Sequence, residues 1–158
     1  MNIILFSDTF EPELNGVSTS VTTLFKVLKN NGHNVYVVTT NPFGKQVTFK
    51  NNILRIPGLR LKALYDYILA PIYNRKAMKI LKNINADIIH VHTDFSIAQL
   101  AYIYKAYSNK NYISCVNKIK LLREYDNELH FIMASCYVEL GNYEKAYEEE
   151  VTNMGTYV

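Results

Sequence analysis

Short apolar runs and polar segments succeed one another in the first forty residues in an order typical of an α/β protein. Residues 2–7 and 35–40 are apolar without alternation, which predicts two strands buried on both faces of a parallel sheet. A polar loop at 8–16 and a helical run at about 17–30 lie between them. A strand, a helix and a strand this close together predict one right-handed βαβ unit.

Two further strands are predicted, at about 53–56, before the turn signal Pro57-Gly58, and at 87–92. Residues 66–83 have the spacing of a helix that is kinked near Pro71, and a second helix follows at about 95–107. With right-handed crossovers the strand order is 3-2-1-4, and the sheet remains open after the fourth strand.

The pattern changes after about residue 106, because residues 110–158 contain no strand-like run and no proline. Helices are predicted at about 111–125, 128–140 and 143–151. The spacing of the small, aromatic and glycine positions resembles a tetratricopeptide repeat, at Ala134, Tyr137, Leu140, Gly141, Tyr143 and Ala146. An ordinary helical hairpin is the alternative. We therefore predict a Rossmann-like half-domain at 1–106 and a helical segment at 107–158.

Composition is that of a folded domain, with 158 residues of which 49% are hydrophobic. No apolar run approaches the roughly 20 residues of a membrane-spanning helix, and Asp8 and Glu11 interrupt the apolar start, so we expect no signal peptide. Cys115 and Cys136 have no second pair, which predicts neither a disulfide framework nor a metal site. We expect a cytoplasmic protein.

Basic residues are concentrated in the first segment, where residues 1–106 hold 12 Lys and Arg against 6 Asp and Glu. The densest part of this excess comprises Arg55, Arg60, Lys62, Arg75, Lys76, Lys79 and Lys82. Basic side chains among aromatic and aliphatic ones can hold a protein on an anionic membrane. A solvated helix face is the alternative. Nucleic-acid binding is not expected, because no recognised module accompanies the stretch.

Candidate binding residues lie in the loop at 8–16, at the edge where open α/β sheets bind ligands. The loop ends in Asn15-Gly16 at a helix N-terminus, where free N–H groups favour an anion. An everyday turn and helix cap is the alternative. Asp8 and Glu11 could accept hydrogen bonds from the hydroxyl groups of a substrate, although a solvated loop carboxylate explains Glu11 as well.

His90 and His92 are two apart on one strand and so point to the same face, but no third ligand is near, and we predict no metal. His92 and Asp94 follow the end of the fourth strand and are candidates for substrate binding. A dinucleotide-dependent oxidoreductase would need a glycine-rich turn after the first strand, and this loop has one glycine.

Several motifs in the right order resemble the family-4 glycosyltransferases, which are GT-B enzymes with two facing Rossmann-like domains. They are Ser7-Asp8-Thr9-Phe10, Pro12, Asn15-Gly16-Val17, Gly32-His33 and residues 86–96. The resemblance covers about residues 1–105, the front of the acceptor domain, and is closest to diacylglycerol glucosyltransferases. It implies retaining transfer from a nucleotide sugar to a lipid or glycan acceptor, without another cofactor. It also implies that Asn15, Gly16 and Val17 lie near the donor phosphate.

The chain departs from the family pattern at residues 104–110, where a histidine-containing motif is expected and no histidine occurs. Residues that match the donor-binding domain are also lacking. We therefore assign no catalytic residue and expect this chain to be an incomplete, inactive form. Peripheral attachment to the inner face of the membrane is expected from the basic stretch. The alternative function is a non-catalytic helical-repeat module that binds a protein partner through residues 111–151.

Overall fold

The computed structural model describes residues 1–62, 66–71, 74–120 and 127–154, without the side chains at 118, 127–129, 131 and 152–154. The strands are β1 (Asn2–Phe6), β2 (Asn34–Thr40), β3 (Thr48–Lys50), β4 (Ile53–Ile56), β5 (Leu59–Leu61), β6 (Tyr67–Leu69) and β7 (Ile88–Val91). The helices are α1 (Gly16–Asn30), α2 (Arg75–Lys82), α3 (Ser96–Ser108), α4 (Tyr112–Lys120), α5 (Asn127–Glu139) and α6 (Tyr143–Met154).

The main sheet has five strands in the order β3-β4-β2-β1-β7. β1 pairs in parallel with both β2 and β7, and β2 pairs in parallel with β4. The four predicted strands therefore occur in the predicted order 3-2-1-4, and the α/β fold class with a parallel-dominated, Rossmann-like sheet is confirmed. β3 is an additional edge strand, antiparallel to β4.

A two-residue turn joins β3 to β4. Asn51 and Asn52 have φ angles of 52° and 66°, as a type I′ hairpin turn requires at both central positions. Asparagine tolerates this left-handed conformation better than most residues. The turn fixes the register in which Lys50 lies opposite Ile53 and Thr48 opposite Arg55.

The prediction of a kinked helix over 66–83 is wrong in its first part. Tyr67–Leu69 forms β6, which pairs antiparallel with β5, and α2 begins only at Arg75. The Asn74 side chain caps α2 by accepting a hydrogen bond from the Ala77 amide at 3.0 Å. The predicted kink itself adjoins residues 72 and 73, which lie outside the described residues. An aromatic and β-branched run prefers a strand once a partner strand is near.

Gly58 marks a close approach of the chain rather than a turn that needs a positive φ. A Cβ atom built on Gly58 would lie 2.2 Å from the Leu69 carbonyl oxygen. Glycine therefore lets the segment before β5 contact the end of β6.

The core of the sheet lies beneath α1, which buries Val21 and Phe25 on one helical face. These side chains pack with Ile3 and Leu5 of β1, Val35 and Val37 of β2, and Phe10 of the following loop. The Phe10 and Phe25 rings meet edge to face with centroids 5.8 Å apart. This packing ties the loop after β1 to the helix that follows it.

The chain divides into two compact units, Met1–Ala101 and Tyr102–Val158. In the second unit, Gly141 has a φ of +72° in the turn between α5 and α6. The Asn142 side chain then caps α6 through the Lys145 amide at 3.2 Å.

The α5–α6 pair is a helical hairpin in which Ala134, Tyr137 and Ala146 are buried, whereas Tyr143 is 70% exposed. The tetratricopeptide assignment and the boundary between 106 and 107 stay predictions. The predicted helix over 111–125 is α4 as far as Lys120, and residues 121–126 lie outside the described residues.

Candidate functional site

The carboxylate of Asp8 organises the carboxyl edge of the sheet. Asp8 is 1% exposed, and one of its oxygens accepts hydrogen bonds from the Ser96 hydroxyl at 2.5 Å and the Ile97 amide at 3.0 Å. The other accepts one from the Thr93 hydroxyl at 2.6 Å, while the Asp8 amide donates to that hydroxyl at 2.9 Å. One buried carboxylate thus joins the end of β1 to the start of α3.

Tyr67 on β6 adds a phenol to this cluster. Burial raises the pKa of the Tyr67 hydroxyl, and the charge and hydrogen bond of Asp8 raise it further. The phenol is therefore a hydrogen-bond donor over the whole physiological pH range. Sequence reasoning missed Tyr67 because it placed this residue on a helix, and it missed Thr93 and Ser96 as partners of Asp8.

Asn15 caps α1, as the alternative interpretation of the Asn15-Gly16 pair predicts. Its side-chain oxygen accepts hydrogen bonds from the Ser18 amide at 2.8 Å and the Thr9 hydroxyl at 3.2 Å. Gly16 and Val17 are exposed, and a Cβ atom at Gly16 would meet nothing within 4 Å. Because the Ser18 amide already donates to Asn15, this N–H group of the first turn is not free for a ligand, and the donor-phosphate role of Asn15, Gly16 and Val17 stays a prediction.

A cavity of about 470 Å³ lies beside the loop that follows β1. Its lining includes Glu13, Asp66, Arg60, Tyr67, Thr9 and Asn15. Carboxylates, amides and hydroxyl groups in one cavity can hydrogen-bond a ligand rich in hydroxyl groups. Burial raises the pKa of Glu13, and the positive charges of Arg55 and Arg60 partly oppose this rise. We call this space the loop cavity.

Glu11 is exposed, and its backbone carbonyl accepts a hydrogen bond from the Arg55 guanidinium at 2.6 Å. Arg55 lies inward, with its guanidinium carbon 5.2 Å from the centre of the Phe43 ring and 6.0 Å from that of Phe10. Burial lowers the pKa of Arg55, and Glu13 and Glu11 oppose that effect. Arg55 therefore links the loop after β1 to the segment that holds Phe43.

His90 lies on β7 and His92 directly follows this strand, with the Nε2 of the first 3.3 Å from the Nδ1 of the second. The His92 amide donates to the Phe6 carbonyl at 2.8 Å, which places it at the end of β1, and Asp94 is exposed. Within the part of the chain that the structure describes, no three His, Cys, Asp or Glu side chains are grouped to hold a metal ion. The substrate-binding roles of His92 and Asp94 stay predictions.

Most of the basic stretch faces solvent. Arg75, Lys76, Lys79 and Lys82 lie on the exposed face of α2, whose other face buries Ala77, Met78 and Leu81. Arg60 and Lys62 are also exposed, and Arg60 donates to the Pro42 carbonyl at 3.2 Å. None of the helices in the described ranges has the length and hydropathy needed to cross a membrane.

Comparison with known proteins identifies the class. The parallel sheet with a substrate-sized cavity at its carboxyl edge is typical of a Rossmann-like, ligand-binding domain. The model of Glycosyltransferase Family 4 matches residues 14–117, and the chain therefore belongs to this family.

Three curated relatives are similar to part of this chain. The chain is 38% identical over 100 residues to the alpha-monoglucosyldiacylglycerol synthase of Streptococcus pneumoniae, covering 63% of this chain and 23% of the relative. It is 32% identical over 102 residues to the synthase of the same name from Acholeplasma laidlawii, covering 63% and 25%. A GDP-mannose-dependent alpha-mannosyltransferase of Corynebacterium glutamicum is 28% identical over 107 residues, covering 64% and 25%. The chain thus spans about a quarter of the length of these relatives. No solved structure matches it significantly.

Proposed function

We propose that this chain forms the acceptor side of a retaining glycosyltransferase that moves a sugar from a nucleotide sugar to a lipid acceptor of the diacylglycerol type. Support comes from the two relatives named alpha-monoglucosyldiacylglycerol synthase and from the loop cavity at the carboxyl edge of the sheet. A glycan acceptor is the second candidate, because the cavity offers several groups that bond hydroxyls. Family membership favours glycosyl transfer over the helical-repeat interaction module.

The proposed roles follow from position. The first turn of α1 would face the donor phosphates, because the helix dipole favours an anion there, although the Ser18 amide is already capped by Asn15. Tyr67 and Glu13 would hold the reacting hydroxyl of the acceptor in the adjacent cavity. Asp8 would fix the loop between these two sites without contacting substrate, since it is buried and fully engaged.

We also propose that the 158-residue chain alone gives no turnover. Residues 104–110 hold no histidine where the family resemblance implies an active-site motif, and the chain spans about a quarter of the length of its relatives. The test incubates the chain with UDP-glucose or GDP-mannose and diacylglycerol vesicles and measures nucleotide release. Acceptor-dependent release above that of a Gly16→Trp variant would contradict the proposal of inactivity.

The transfer function is tested in a chimera that joins this chain to the remaining part of the Streptococcus pneumoniae synthase. We expect transfer to diacylglycerol, abolished by Gly16→Trp and retained by Gly16→Ala, because a Cβ at this position meets nothing within 4 Å. A chimera that binds nucleotide sugar but glycosylates neither a lipid nor a glycan would contradict the proposed function.

A further inference from the structure

A second cavity, of about 700 Å³, lies at the β3 edge of the sheet. Its volume falls in the range typical of small-molecule sites, roughly 300–1,000 Å³. We call it the edge cleft. Its lining comprises Asn41, Phe43, Gly44, Lys45, Gln46, Thr48, Lys50, Asn51, Ile53 and Arg55.

The floor of the edge cleft is one face of the β3–β4 ladder. Because side chains alternate along a strand, Thr48 and Lys50 share a face of β3 and lie opposite Arg55 and Ile53 on β4. Phe49 belongs to the other face, where its ring stacks on Tyr36 with centroids 6.5 Å apart. The type I′ turn holds this register, so the basic side chains of the floor stay on the cleft side.

The segment 41–46 forms the wall of the edge cleft, and the buried side-chain amide of Asn41 holds the two ends of this segment together. The Asn41 side chain donates to the Gln46 carbonyl at 2.6 Å and accepts from the Phe43 amide at 3.0 Å. The Asn41 amide donates to the Ile56 carbonyl at 2.7 Å, which anchors the segment to the end of β4. Lys45 therefore lies on a loop that these hydrogen bonds hold in place. It lies near Phe43, which is 69% exposed.

The charge of the edge cleft is one-sided. Lys45, Lys50 and Arg55 line it, and none of the described residues in its lining is acidic. The carboxylates of Glu13 and Glu11 already act on Arg55. The ammonium groups of Lys45 and Lys50 are then the charges that no carboxylate of the described lining balances. Gln46, Thr48 and Asn51 add neutral polar groups, while Phe43 and Ile53 add apolar surface.

We propose that the edge cleft binds an organic phosphate, with the phosphoryl group between Lys45 and Lys50 and the organic part against Phe43. Two ammonium groups match the charge of a phosphomonoester or diphosphate, and Lys is a common ligand of phosphate. This site is separate from the loop cavity, with which it shares no lining residue. The same chemistry is offered by a soluble phosphate ester and by a phospholipid headgroup.

Titration calorimetry at low salt, with glycerol 3-phosphate and with pyrophosphate, tests the proposal. We expect saturable binding at one site, weakened by about a hundredfold or more in Lys45→Ala/Lys50→Ala, since the loss of each charge-assisted hydrogen bond should weaken binding by about tenfold or more. The matched control is Lys26→Ala/Lys105→Ala, which removes two exposed lysines elsewhere. Amide chemical shifts of ¹⁵N-labelled protein should move at 41–51 during the titration.

Vesicles distinguish the two sources of phosphate. Flotation with phosphatidylcholine alone and with added phosphatidic acid should show binding that depends on Lys45 and Lys50 if the headgroup is the ligand. If both soluble probes bind and the lysine variant floats like the wild type, the ligand is a soluble phosphate ester. Absence of saturable binding to every probe, or equal weakening in the control variant, would overturn the proposal.

Discussion

His90 on β7 lies close to His92, which directly follows that strand, with Nε2 of His90 3.3 Å from Nδ1 of His92. Burial lowers the pKa of His92, and the neighbouring His90 lowers it further. The unfolded chain, with an ordinary histidine pKa of about 6.5, then binds more protons than the folded chain at mildly acidic pH. As far as His92 decides it, the free energy of unfolding should therefore be highest above a pH of about 6.5. It should decrease as the pH falls towards the lower pKa that His92 has in the folded chain.

Urea unfolding at several pH values between about 7 and 5 checks this prediction. His92→Gln should reduce the slope of stability against pH, because it removes the group whose pKa differs between the two states. His33→Gln controls for the loss of one imidazole, in the turn before β2. An unchanged slope in the His92 variant would contradict the assignment.

Removing the Asp8 carboxylate should destabilise the first unit. Asp8→Ala leaves the hydroxyls of Thr93 and Ser96 and the amide of Ile97 without their acceptor, at a cost of about 3 kcal/mol in the free energy of unfolding. Asp8→Asn keeps one acceptor oxygen, so its free energy of unfolding should lie between those of the wild type and Asp8→Ala. Glu11→Ala, at an exposed side chain of the same loop, should change stability by less than about 0.5 kcal/mol. Equal losses at both positions would show that the buried network contributes nothing special.

A methyl group at Gly58 should displace the β5–β6 pair. The added Cβ would lie 2.2 Å from the Leu69 carbonyl, and backbone on both sides leaves no flexible side chain to yield. We expect Gly58→Ala to lower the free energy of unfolding by about 1–3 kcal/mol. Gly44→Ala meets nothing within 4 Å and serves as the matched control in the same thermal melts. A Gly58→Ala melting temperature equal to that of the control would refute this close approach.

Salt-sensitive membrane attachment is the prediction for the basic face of α2. Lys76 and Lys79 are exposed on one helix, and each basic side chain near an anionic surface contributes about 1 kcal/mol. Vesicle flotation should give more bound protein with phosphatidylserine than without, and less in Lys76→Glu/Lys79→Glu. Raising the salt should weaken binding as the Debye length shortens. Equal recovery on neutral and anionic vesicles would instead indicate a solvated face.

The parallel strands could be predicted because each carries its own signal. Residues 2–6 and 34–40 are apolar on both faces, and a right-handed crossover allows only a few orders for such strands. The strand β6 could not be predicted from its own sequence, because Tyr67–Leu69 becomes a strand only through its pairing with Leu59–Leu61. That pairing also depends on the close approach at Gly58, which nothing in the local pattern reveals.

The same distinction holds for the site. The cap formed by Asn15 and the polar loop before it are local features that sequence reasoning can find. The partners of Asp8 lie 85 to 89 residues further along the chain, and no periodicity connects them. Tyr67 was missed for a second reason, because the wrong prediction of a helix over residues 66–83 placed it away from the carboxyl edge of the sheet.

The long sequence separation of these partners bears on synthesis in the cell. A ribosome adds about 5–20 residues per second, so Asp8 leaves the ribosome several seconds before Ser96 and Ile97 are made. During that interval the Asp8 carboxylate lacks these partners. The nascent chain can therefore complete this edge of the sheet only after the first turn of α3 has been made.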